Sequence, residues 1–281
     1  MRPILLFARL TMKEALRKKL AWVLLGLTLL TIVLSGFGLQ RLTATFEAND
    51  PGDQLAATSI ILILIMFAYS FVLALSAVFV TLPSVAGEIE SGTALAVLSR
   101  PVSRLHFLVG KWVGLVVLIA AYVSVASAGE FLVVRVVTGY LPPHPVMFVA
   151  FMVAEAVVIL TLAMLVSTRI APIAGGVLVL GAFMLAWLGG VAVSLGREFG
   201  VQALVTGGTV TRLLLPTDGM WKGAVYALEP VALLATAQAD DIGNFPFFSQ
   251  APPSVPYMLW TAAWVAGILA LSVRSLRRRE I

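Results

Sequence analysis

The chain offers little for covalent or metal chemistry: two histidines, His106 and His144, and no cysteine. A metal centre needs three or four ligands, and the span assignment below puts the two imidazoles on opposite sides of a membrane. No shared metal and no two-histidine catalytic centre is expected. A Gly-x-Ser-x-Gly elbow and a His-Glu-x-x-His pair are absent from the sequence, which disfavours acyl transfer and intramembrane proteolysis. A P-loop is absent too, because Gly110-Lys111 is followed by Trp112 and residue 105 is leucine. The sequence therefore holds no catalytic residue, metal site or cofactor site, and ATP-driven work requires an ATPase on another subunit. Glu130 and Glu155 stand apart. Both fall inside long apolar stretches, where an ionised group costs several kcal/mol unless paired or hydrated, so each is a candidate functional acid. Glu130, near the outer end of its stretch, is expected to be interfacial and paired with Arg135. Glu155 lies deeper and either faces a hydrated cavity or bonds a neighbouring helix.

The elements that carry these residues follow from composition. Of 281 residues, 60% are hydrophobic and 12% charged, with a mean hydropathy of +1.02. Soluble domains carry about 25% charge, so a soluble enzyme, a disordered chain and a disulfide scaffold are excluded. An all-α polytopic membrane protein remains, a single domain over 1–281. A spanning helix needs about 20 apolar residues, and six stretches qualify: 20–39, 58–82, 107–137, 147–168, 172–195 and 257–274. The third is overlong; it tilts or ends in a turn before Tyr140. The first is too long for the apolar core of a cleavable signal and is expected to stay attached.

Charge orients the spans. All of the 19 lysines and arginines except Arg41, Arg135, Arg197, Arg212 and Lys222 fall on the N-terminal side. By the positive-inside rule both termini face the cytoplasm. The net charge of +5 and pI of about 9.8 thus reflect membrane topology rather than a nucleic-acid surface. Trp22 and Trp112 fall near the inner interface and Trp221 and Trp260 near the outer one.

Three segments lie between or beside the spans. Residues 1–19 read as an amphipathic interfacial helix, with Arg9, Lys13 and Arg17 on one face and Leu5, Ala8, Met12, Leu16 and Leu20 on another. Residues 83–106 read as a cytoplasmic loop beginning at Pro83, with a short apolar helix from Thr93 to Leu98 and Ser103 capping the next helix. That helix must bury its apolar face against the spans or a cytosolic partner. Residues 196–256 form the extracytoplasmic part. Their apolar pieces, 199–215 and 220–237, are broken by Gly207-Gly208, Pro216 and Pro230 and read as interfacial or re-entrant helices. Gly110-x-x-x-Gly114 suits close helix packing, and Gly189-Gly190 is the expected hinge.

The loop is also the most specific feature. Glu88-x-Glu90-Ser-Gly92-Thr93, Leu98-Ser-Arg100-Pro101-Val-Ser-Arg104 and Leu108-Val-Gly110-Lys111 resemble the signature of ABC-2 type transporter permeases. Leu213-Leu-Leu-Pro216-Thr-Asp218-Gly-Met-Trp221 is similar to the stretch before the last span in permeases of the multicopper-enzyme maturation type. The resemblance implies a permease that exports a substrate across the cytoplasmic membrane and works as a dimer, with an identical copy or a paralogue. It also implies a cytosolic ABC ATPase subunit holding ATP and Mg. Glu88, Glu90, Gly92, Thr93, Arg100, Pro101, Arg104 and Lys111 would form the docking loop, or coupling helix. Membrane lipids are the remaining partner, and no nucleic acid is expected. An ATP-independent channel or secondary transporter would instead need midplane ionisable residues and repeat symmetry. A non-transporting scaffold coupled to an ATPase would share the docking loop.

Overall fold

A computed structural model describes residues 2–17, 19–45, 51–90, 92, 103–230 and 247–278. Among the described residues there are nine α-helices and no strand. They are α1 (Arg2–Arg17), α2 (Lys19–Thr45), α3 (Pro51–Glu90), α4 (Arg104–Thr138), α5 (Pro145–Ser167), α6 (Pro172–Glu198), α7 (Gln202–Leu214), α8 (Thr217–Leu228) and α9 (Val255–Arg277). Six of them, α2 to α6 and α9, are long and apolar enough to cross a membrane.

Local sequence sets several boundaries. Ser103 caps α4, its hydroxyl accepting from the His106 backbone N–H at 3.3 Å. Pro145 and Pro172 open α5 and α6, where the missing N–H costs nothing. The overlong third stretch is one continuous helix, about 52 Å at 1.5 Å per residue. Gly139 ends it with a left-handed φ of 73° and donates back to the Arg135 carbonyl at 3.0 Å. No turn breaks it earlier, so α4 is longer than the hydrocarbon of a bilayer.

α3 is longer still, with 40 residues, and Pro83 lies inside it. Where the sequence suggested that the helix ends at Pro83, it continues for two more turns to Glu90. Proline removes one hydrogen bond of the ladder. The Ser84 hydroxyl donates to the Thr81 carbonyl at 2.7 Å on the next position.

α5 forms the centre of the bundle and packs against α3, α4, α6, α8 and α9. It is apolar on nearly every side, as suits the most buried of the six long helices. Phe148, Met152, Ile159 and Leu160 along it are fully buried. α2 and α9 lie at the periphery and are the least buried of the six long helices. The 12-residue α8 is too short to cross a bilayer, yet ten of its residues are buried.

Candidate functional site

Two charged junctions, one at each end of the bundle, hold the ion pairs Lys111–Glu88 and Arg212–Asp218. At the first end, α1 lies along the start of α4. Gly110 and Gly114 form the groove that seats it. A Cβ at Gly110 would come within 2.6 Å of the Phe7 Cβ, and one at Gly114 within 2.6 Å of the Ala8 carbonyl. Lipid-embedded helices gain little from apolar burial against one another, so close backbone approach through small residues is what binds them. Phe7 also packs edge-on against Phe107, with centroids 5.5 Å apart.

The face of α1 that packs is Phe7, Ala8, Thr11 and Ala15. This corrects the sequence reading, which grouped Leu5 and Leu16 with Ala8. Those leucines are 60% and 55% exposed. Ala8 closes on Gly114 and Phe7 on Gly110 and Phe107, while the leucines turn outward. Arg9, Lys13 and Arg17 are exposed as well.

Beside α1, the ends of α3 and α4 are joined by Lys111. Its ammonium donates to Glu88 Oε1 at 2.5 Å and to the Ser84 carbonyl at 2.6 Å. It also stands 5.1 Å from the centre of the Phe107 ring. Lys111 is 3% exposed and Glu88 22% exposed, so the lysine is inside the protein and the glutamate is at its rim. Arg104 reaches from the first turn of α4 to the Leu276 carbonyl of α9 at 2.6 Å. Arg169, in the α5–α6 turn, donates to Ser275 Oγ at 3.0 Å and to the Ser275 carbonyl at 3.2 Å. Cationic donors on the last carbonyls of α9 suit the negative end of its dipole. Glu88, Arg104 and Lys111 are thus brought together around the ends of α3, α4 and α9. Glu90 is exposed at the end of α3, and Gly92 has a φ of 72°. Thr93, Arg100 and Pro101, with the expected short helix from Thr93 to Leu98, lie outside the described residues.

The second junction joins α6, α7 and α8. α7 folds back along the end of α6, and glycines on both helices make room. A Cβ at Gly189 would overlap the Thr211 hydroxyl, and one at Gly208 would overlap the Gly189 carbonyl. A Cβ at Gly190 would overlap the Asp218 carboxylate. α6 runs unbroken through this pair, and Gly189-Gly190 forms a packing notch. Asp218, in the first turn of α8, pairs with Arg212 of α7 at 2.5 Å, and its side chain is 3% exposed. Burial pushes the Asp218 carboxyl up, against the pull of the Arg212 and Lys222 charges. Burial also pushes the Lys222 ammonium down, while Asp218 opposes the shift. Glu229, just past α8, accepts from the Ser249 backbone N–H at 3.1 Å, and burial pushes its carboxyl up to about 8.

The stretch 213–221 is the joint of this assembly. Tyr257, Trp260 and Trp264 recur on one face of α9 and donate to three successive carbonyls at the end of α7. These are Arg212 at 3.1 Å, Leu213 at 3.0 Å and Leu214 at 2.8 Å. The free carbonyls of a helix end thereby receive partners. Gly219 leaves space for the Tyr257 ring, which a Cβ there would overlap. Trp221 corrects another expectation. It is 2% exposed and packs 5.7 Å from Phe67 within an aromatic cluster that includes Trp187 and Phe247. It is a core residue and not an interface anchor. The aromatic ladder onto α7 was not foreseen; its signal was the spacing of Tyr257, Trp260 and Trp264.

Neither intramembrane acid forms an ion pair with the cations of either junction among the described residues, although Glu155 lies within electrostatic range of Asp218. Glu155 accepts from the Ser70 hydroxyl of α3 at 2.8 Å, so it bonds a neighbouring helix. Glu130 is 4% exposed and makes no ion pair with Arg135 among the described residues. It lines a cavity of about 10 Å³ with Thr28, Thr31, Tyr69 and Ser127, room for a single water. The α4 helix turns Glu130 inward, towards α2 and α3, which sequence spacing alone did not reveal.

Among the described residues no group of three or more histidines, aspartates or glutamates is placed to hold a metal ion. A family model described as ABC-2 family transporter protein matches residues 7–281. No curated protein matches the chain.

Proposed function

The chain belongs to the ABC-2 family of transporter proteins and is a multi-pass membrane permease of ABC-type transport; from that premise we propose that it docks a cytosolic ABC ATPase through segment 83–106 and exports its substrate. The family generally works with such an ATPase. The observation that most supports docking at this segment is the Lys111–Glu88 pair. The helices entering and leaving 91–103 are tied together there by an ion pair with a buried lysine. A push on the segment between them acts on α3 and α4 as one body. Arg104 extends that body to α9, and the seated α1 extends it to the membrane surface.

The mechanism follows. ATP binding closes the ATPase pair, the docked segments move with it, and two permease copies (or a copy and a paralogue) rock to open a path between them. The positive-inside distribution puts the α1 end and both termini in the cytoplasm, at the cytoplasmic membrane. Spans of nearly unbroken apolar character favour a lipophilic or amphipathic cargo over an ion.

The test is the double change Glu90→Ala with Arg100→Ala, read in the complex purified in mild detergent from the native host. Docking at 83–106 predicts a co-purifying P-loop subunit with the native chain, and either loss of that subunit or ATP hydrolysis without transport in the variant. If complex and transport both survive, the segment does not dock the ATPase. If the native chain purifies alone and does not respond to ATP, a channel or secondary transporter becomes the better reading.

A further inference from the structure

A groove of about 510 Å³ opens between α4 and α9 at the α1 end. It exists because α9 packs chiefly on α5 and only lightly on α4. Leu105 and Val109 form one wall, and Leu269, Ala270 and Val273 form the other. Arg274 and Arg277 line its end, and among the described residues no acidic one lines it. Both arginines are exposed, and neither has an acidic partner among the described residues. They differ in this from Arg104 and Arg169, which are committed to carbonyls of the same helix end.

We infer that this groove seats one anionic phospholipid, with an acyl chain along the α4–α9 wall and the headgroup phosphate between Arg274 and Arg277. The volume falls in the range of small-molecule sites. The apolar wall accepts any lipid tail, since a tail is as apolar as leucine, so selectivity comes from the rim. Guanidinium groups bind phosphate oxygens in a paired, planar fashion that a zwitterionic headgroup, with its own cation, competes against. Basic pockets between membrane helices bind acidic headgroups on this basis. The wall from Ala266 to Val273 spans about 10 Å of helix axis, and Arg274 follows it directly with Arg277 about one turn further, towards headgroup depth.

The inference requires α9 to cross the bilayer but not the ATPase docking proposed above, and its test contains no ATPase. The purified full chain is delipidated in detergent, titrated with phosphatidylglycerol or phosphatidylcholine, and read by native mass spectrometry. One retained phosphatidylglycerol is expected, preferred over phosphatidylcholine by at least about tenfold. Arg274→Gln with Arg277→Gln should bring the two lipids to near equality without lowering the melting temperature in phosphatidylcholine micelles. Ala270→Trp, which fills the groove, should reduce retention of both. Equal binding by the native chain overturns the inference, as does a preference that survives the arginine change. A preference lost instead on Arg9→Gln, Lys13→Gln and Arg17→Gln would move the headgroup to α1 and overturn it as well. If Ala270→Trp splits a dimer and leaves lipid retention unchanged, the groove holds a second copy and the inference fails.

Discussion

At the α1 end, Arg104 and Arg169 reach across to the last carbonyls of α9, and the Glu88 partner of Lys111 stays partly open to water. At the α8 end, Asp218 and Glu229 are 4% and 0% exposed, and the helices around them touch through glycines with no spare volume. Both ends join helices that are distant in sequence, and both use charge. The difference is in what breaking a contact leaves behind. At the α1 end the buried Lys111 falls back on the Ser84 carbonyl, and a rim carboxylate that loses its partner is rehydrated. A buried one cannot be, and the penalty for an uncompensated buried ion exceeds what the pair contributed. The α1 end is therefore built to exchange contacts, and the α8 end is built to keep them.

That contrast can be broken first at Asp218. Asp218→Ala leaves the Arg212 and Lys222 cations without their carboxylate in a packed site. A loss of about 3–5 kcal/mol is expected, read as a drop in melting temperature of the detergent-purified chain. A loss below that of the Glu88 change described next would mean that the α8 end is not the locked one. Glu88→Ala also leaves a buried cation, since Lys111 is 3% exposed, but Lys111 keeps the Ser84 carbonyl and the face of Phe107, so a smaller loss of about 1–3 kcal/mol is expected.

Glu229 offers a pH readout that, over its full window, is comparable to the Asp218 effect. Its carboxyl titrates at about 8 in the fold against an ordinary 4.5, so the folded state binds this proton more tightly than the unfolded one. The stabilisation is complete below about pH 4.5, is lost as pH rises, and is gone above about 8. The slope is steepest in between, at about 1.4 kcal/mol per pH unit. Glu229→Gln should flatten the melting temperature across that window, and an unchanged slope would place the titrating group elsewhere.

The six long helices were legible in the sequence because crossing a bilayer requires long apolar runs, and a water-facing helix of that length would carry a polar face. The Gly110–Gly114 spacing was legible on its own terms, as small residues four apart mark a close approach. Which helix enters the groove was not, because a small-residue stripe says nothing about its partner. Ala8 was grouped with the leucines because both are apolar, yet they lie on different sides of α1. In lipid the larger leucines belong outside, and alanine and threonine belong at the contact. Pro83 misled because proline usually ends a helix in water, while α3 passes through it. The charges of the α8 end were visible one by one, but Arg212, Asp218 and Lys222 meet only when α7 and α8 fold back on α6. Glu130 carried a correct warning, a buried acid, and a wrong partner, since its neighbours come from α2 and α3.

The seating of α1 on Gly110 and Gly114 has a consequence for biosynthesis. The groove is encoded about a hundred residues after the helix it receives, so α1 leaves the ribosome before its seat has been translated. For that interval α1 has only the bilayer surface to rest on. Leu5, Leu6, Leu10 and Leu16, exposed in the finished protein, already suit that surface, so the same face serves the nascent chain and the folded one. Docking then needs α1 only to press its alanines onto α4, without turning over, and the N-terminal end of the protein is completed only once the third long helix has been inserted.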